Sequence, residues 1–152
     1  MFGHVIQLAQ VYVLGVPEGD ALGLLGYFIQ FNGTEEWLHL GFNVAFLVSL
    51  YALVLPMRGL VPGVVSAAAF GVFLVGAVGL ETWHVVEHFV IVANVIANGG
   101  CPCPGIGDRL LGVTDTQLHF VYNAVAYAAL VTPFRHVMRD WAGARPGYAA
   151  AA

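Results

Sequence analysis

Two histidines and two glutamates fall within eight residues, Glu81-Thr-Trp-His84-Val-Val-Glu87-His88, at the end of an apolar run that carries no charge between Gly59 and Leu80. On a helix His84 and His88 are four apart and share a face, and Glu81 and Glu87 each sit within a turn of His84. That is the pattern of a chelating face. Imidazole with carboxylate suits iron, copper, zinc or manganese. Two more imidazoles come in repeated Leu-His-x-x-x-Asn motifs, His39 with Asn43 and His119 with Asn123.

The candidate metal ligands are therefore His39, His84, His88, His119 and Glu87, followed by His4, Glu36 and Glu81. Glu87 is also the candidate catalytic group, as ligand or proton acceptor. Glu36-x-x-His39 and Glu81-x-x-His84 echo the Glu-x-x-His pairs of di-iron helix bundles, although Glu35 and Glu36 also suit the first turn of a helix as plain charges. Two rival readings stand beside the metal site. The His-x-x-x-Asn pairs could be interhelical hydrogen bonds, and facing histidines could bracket a haem, which would leave the carboxylates without a role.

These groups lie in a membrane-type sequence. A chain of 152 residues has room for one domain, and 59% hydrophobic residues, 9% charged residues and a mean hydropathy of +0.81 predict an all-α integral membrane protein. Unpaired ionisable groups are expensive inside a bilayer, which makes the cluster a functional site by expectation. Five basic residues, all Arg, against nine acidic ones exclude a nucleic-acid footprint. Residues 1–17 hold no Arg or Lys, so no cleaved leader is read there.

Four apolar segments would position the cluster. Segment one runs from Met1 to about Val16, with His4, Gln7 and Gln10 along one wet stripe. At about 24 Å against a hydrocarbon thickness of roughly 30 Å, its crossing is marginal. A short apolar piece, Ala21 to Phe31, reads as interfacial or re-entrant. Thr34 caps segment two, from about Glu35 to Leu55, which stops at Pro56. Segment three begins near Pro62 and runs through His88, as far as Asn98. It exceeds one bilayer and must tilt, kink or protrude, with Gly76 and Gly79 as weak points and Ala67, Gly71 and Gly76 as places for a neighbour to approach. Thr114-Asp115 caps segment four, Thr116 to about Phe134, with Pro133 near its end and His136 beyond it at the interface.

A shift of 80 places His4 on His84, Gln7 on Glu87, Thr34 on Thr114, His39 on His119 and Asn43 on Asn123. The expected fold is thus an integral membrane four-helix bundle made of two pseudo-repeated helical hairpins, halves about 1–56 and 62–138, related about the membrane normal. Residues 1–141 form the single transmembrane helical domain and 142–152 a flexible tail. Arg58, Arg135, Arg139 and Arg145 share one side, which places both termini in the cytoplasm and the Cys101–Cys103 loop outside the plasma membrane, where a disulfide is permitted. Trp37, Trp141 and Tyr148 fit interface anchors, and Trp83 fits a wall of the site.

The expected function is a metal-dependent membrane enzyme, an oxidoreductase or a subunit of one, holding iron, copper or zinc and acting on a lipid-soluble small molecule. The alternative is a non-catalytic transporter, ion or proton path or accessory subunit built on the same residues. A second copy or a partner membrane subunit suits either. Depth is the difficulty: His39 and His119 lie one turn inside their helices, whereas His84 and His88 precede Gly99 by three to four turns. They meet only if segment three protrudes or the linking loops fold back.

Overall fold

The computed structural model describes residues 2–17, 20–23, 35–61, 63–99 and 105–143, and among these all regular structure is helical. The order is α1 (Phe2–Tyr12), α2 (Glu35–Gly59), α3 (Ala67–Val72), a π-helical segment (Phe73–Gly79), α4 (Leu80–Ala97), α5 (Ile106–Leu111) and α6 (Asp115–Gly143). The expected cap Thr34, most of the short apolar piece, both cysteines and most of the tail lie outside the described residues.

Helix α1 has 11 residues, about 16 Å, which is too short to span a bilayer. Its polar stripe is not wet. The Gln7 amide donates to Ala21 O at 3.0 Å, and Gln10 Oε1 accepts from Gly23 N–H at 2.9 Å, so the stripe pins residues 21–23 against the helix. Gly23 has φ +62°, and a Cβ there would stand 3.0 Å from Gly3 O, so only glycine fits.

Two stretches, Glu36–Gly59 and Ala67–Ala97, are long and apolar enough to cross a membrane, with hydropathies of 2.0 and 1.6. The apolar side chains of α2 point largely outward: Val48, Tyr51 and Leu55 are all exposed. Pro56 does not stop this helix, which continues to Gly59, because a proline in the last turn removes only one backbone bond. Pro133 likewise sits inside α6, which runs 29 residues to Gly143 rather than ending near Phe134. Thr132 next to it returns its hydroxyl to Ala128 O at 2.9 Å, a device that helps helices carry a proline.

The third segment starts at Ala67, not near Pro62, because Ser66 caps it by accepting Ala69 N–H at 3.1 Å. Its weak points coincide with the π-helical segment, which contains both Gly76 and Gly79. Helix α6 crosses here, and a Cβ on Gly76 would lie 2.7 Å from Ala129 Cβ. Gly71 faces open space, so the close approach is made at Gly76.

The packed helices have an apolar half and a polar half. Leu50, Met57, Val65, Phe73, Ala77 and Ala129 form the apolar core, and a smaller cluster of Leu40, Val85 and Val92 packs α4 on α2 beside the histidines. From His84 to Ala97 helix α4 rises 13 residues, about 20 Å, whereas His119 lies four residues into α6, about 6 Å. Protrusion and fold-back both occur. Helix α4 overshoots, and α5 returns so far that Gly107 N–H donates to Glu87 Oε1 at 2.6 Å. Gly112, at φ +65°, ends α5, and Thr114 with Gln117 forms a reciprocal capping box that starts α6.

Candidate metal centre

His84 is fully buried, and His88 and His119 are each 2% exposed. One nitrogen from each lies within 4.8 Å of the others. A helical turn sets His84 beside His88 on α4, and the first turn of α6 delivers His119 against both, with ring centroids 4.9 and 4.5 Å away.

An acidic residue stands on the Nδ1 side of every ring. His84 Nδ1 is 3.3 Å from Glu81 Oε2, both fully buried. His119 Nδ1 is 2.9 Å from the Asp115 carbonyl and 3.0 Å from its Oδ1. His88 Nδ1 faces Glu36 Oε2 at 3.6 Å. For His84 and His119 the acid in contact holds the proton on Nδ1 and leaves Nε2 for a metal, whereas His88 Nδ1 and Glu36 Oε2 stand too far apart to bond and neither has a partner among the described residues. The Nε2 atoms of His84 and His88 are 3.2 Å apart, and His119 Nε2 is buried with no hydrogen-bond partner. At that distance one ring donates its N–H to the other, or, with both protons on Nδ1, the two lone pairs share a cation. Two imidazole nitrogens on one tetrahedral ion, each ~2.05 Å from it, stand about 3.3 Å apart, which the observed pair matches.

The remaining histidines form an outer ring. His39 on α2 lies 5.8 Å from His88, and His4 on α1 lies 5.6 Å from His39 and 6.2 Å from His119. Gln7 holds His4 through Nδ1 at 2.7 Å. All five histidines proposed as ligands are thus brought together from four helices, and exposed His136 stands apart from these ring contacts.

The carboxylates separate. Glu81 and Glu36 face imidazoles, whereas Glu87, fully buried, is engaged by Gly107 of α5 and leaves its Oε2 without a partner. Asp115 is an addition to the set; its four-residue spacing from His119 is the same signal that relates His84 to His88. Tyr122 is another: its ring is 5.3 Å from His84 and its hydroxyl accepts the Trp83 indole N–H at 3.0 Å. Trp83 therefore walls the site through Tyr122. Asn123 donates to His119 O of its own helix at 2.8 Å, so it does not bridge helices with that bond.

A porphyrin does not fit among the three inner rings, since their centroids lie 4.5 to 4.9 Å apart and His84 and His88 project from one face of one helix. On α5, outside the long helices, burial pushes the Asp108 carboxyl above its ordinary range, opposed by Gly105 N–H, which donates to Oδ2 at 2.9 Å. A cavity of about 390 Å³ adjoins the cluster and shares His4 and His39 with it.

No family model matches the chain, and no curated protein or solved structure matches it either. Function is read from the side chains alone.

Proposed function

We propose that the chain is a membrane-embedded metal-binding protein that works as a metal-dependent enzyme, an oxidoreductase or a subunit of one. The observation that carries this reading is the convergence of His84, His88 and His119 with their Nδ1 atoms turned to Glu81, Glu36 and Asp115. The donors are nitrogens, which suits zinc, copper or iron better than the oxygen-seeking cations. Such an ion would supply Lewis acidity or electron exchange. Three histidines hold it, Glu81 and Asp115 orient two of them, and Glu87, one residue from His88 with a free buried oxygen, is the proton acceptor.

The membrane setting rests on the two apolar stretches and on the outward apolar face of α2. In this reading α2, the Ala67–Ala97 stretch and α6 cross the plasma membrane and α1, too short to cross, packs beside them as the fourth helix, with the C-terminus cytoplasmic and residues 101–103 outside. The two-hairpin repeat draws support from the meeting of His4, His39, His84 and His119 in one place, and of Asn43 and Asn123 on one cavity. A second copy or partner subunit belongs to the same proposal.

A cation or proton path is the second reading, favoured by the succession His4, His39, His88 at 5.6 and 5.8 Å leading inward from the cavity. Elemental analysis and an optical spectrum of the detergent-purified protein separate the two. Stoichiometric zinc, copper or iron lost in His84→Ala supports the centre; absence of metal under saturating conditions overturns it.

A further inference from the structure

The cavity beside the histidines has a chemistry of its own. Its volume, about 390 Å³, lies in the range of small-molecule sites. Aromatic groups line one part, Phe42, Phe46 and Tyr127, and side-chain amides another, Asn43 and Asn123. His4 and His39 make the wall shared with the metal centre. Among the described lining residues there is no carboxylate, lysine or arginine, so a charged ligand would enter without a counter-charge.

The amides are available. Asn123 spends one N–H on His119 O and keeps its carbonyl and second N–H, and among the described residues the side-chain amide of Asn43 has no hydrogen-bond partner. Phe42 and Tyr127, 53% and 54% exposed, form the rim, so the mouth lies on the outer face of α2 and α6, where lipid would reach it.

We infer that this cavity binds a neutral, lipid-soluble molecule carrying a carbonyl or hydroxyl on a ring, of the quinone or phenol class. The ring stacks on Phe46 and Tyr127, Asn43 donates to or accepts from the ring oxygen, and that oxygen points toward His4 and His39. The binding depends on the cavity alone; only the chemistry done there rests on the metal centre proposed above.

The test uses the full chain in detergent and a fully substituted benzoquinone with a decyl tail, which cannot add thiols, with decylbenzene as the control for plain partitioning. The quinone should raise the melting temperature in a saturable way and decylbenzene should not. Asn43→Leu, which keeps a side chain of similar size, should weaken quinone binding about tenfold, the loss of one hydrogen bond in a dry site. Asn43→Asp should weaken it further, because a carboxylate faces the quinone oxygen. Equal shifts from both compounds, or unchanged affinity in both variants, overturn the inference. Saturable quinone binding that persists in metal-free His84→Ala upholds it independently of the metal centre. A loaded metal site with no quinone response overturns it and leaves that centre standing.

Discussion

His84 Nε2 and His88 Nε2 face each other at 3.2 Å in a setting where neither ring reaches solvent. Glu81 claims the other nitrogen of His84, and Glu36 stands on the far side of His88. With His119 the two rings form a buried group of nitrogens close enough together that it could hold a metal ion.

Removing one arm of that pair should release the ion. His84→Ala is expected to leave the protein without metal after dialysis, because the remaining imidazoles no longer chelate. His136→Ala, on the exposed part of α6, should retain full metal content by elemental analysis.

The two buried glutamates should behave differently. Glu81→Gln loses the charge that fixes the His84 tautomer and should weaken metal affinity by roughly 10–100-fold in competition with a chromogenic chelator. Glu87→Gln keeps an oxygen for Gly107 N–H and should weaken it less. Equal losses would place Glu87 with Glu81 among the groups that orient a ligand, and a larger loss among the ligands.

Two glycines should resist enlargement. A Cβ on Gly107 would meet Leu118 Cδ2 at 2.6 Å, the Tyr122 hydroxyl at 2.8 Å and Glu87 Oε1 at 2.9 Å, and one on Gly76 would meet Ala129 at 2.7 Å. Gly107→Ala and Gly76→Ala should each destabilise by about 1–3 kcal/mol, seen as a lowered melting temperature in detergent. Gly71→Ala, in open space on a helix, should be neutral or slightly stabilising.

The orientation is open to thiol labelling. In right-side-out vesicles Cys101 and Cys103, after reduction, should react with an impermeant maleimide added outside. Labelling only after the vesicles are opened would reverse the topology, since Arg58 and Arg139 would then flank the outer face.

Much of this was determined by the sequence itself. Helical periodicity is a local property of the backbone, so the sharing of one face by His84 and His88, the Thr114 cap and the fragile Gly76-to-Gly79 stretch could all be read before any contact was known. The five histidines stood out because imidazoles are rare in runs so apolar. Local geometry could not say which glutamate serves His84, since Glu81 and Glu87 are both within a turn of it. The tertiary structure decided that by sending α5 back onto Glu87 and leaving Glu81 to the imidazole. It also carried α2 and α6 past their prolines, kept α1 short, and resolved the mismatch in depth through the overshoot of α4 and the return of the connector. Each of those outcomes depends on which distant surface arrives, at Gly76 against Ala129 or at Gly107 against Glu87, and such long-range encounters leave no period in the chain.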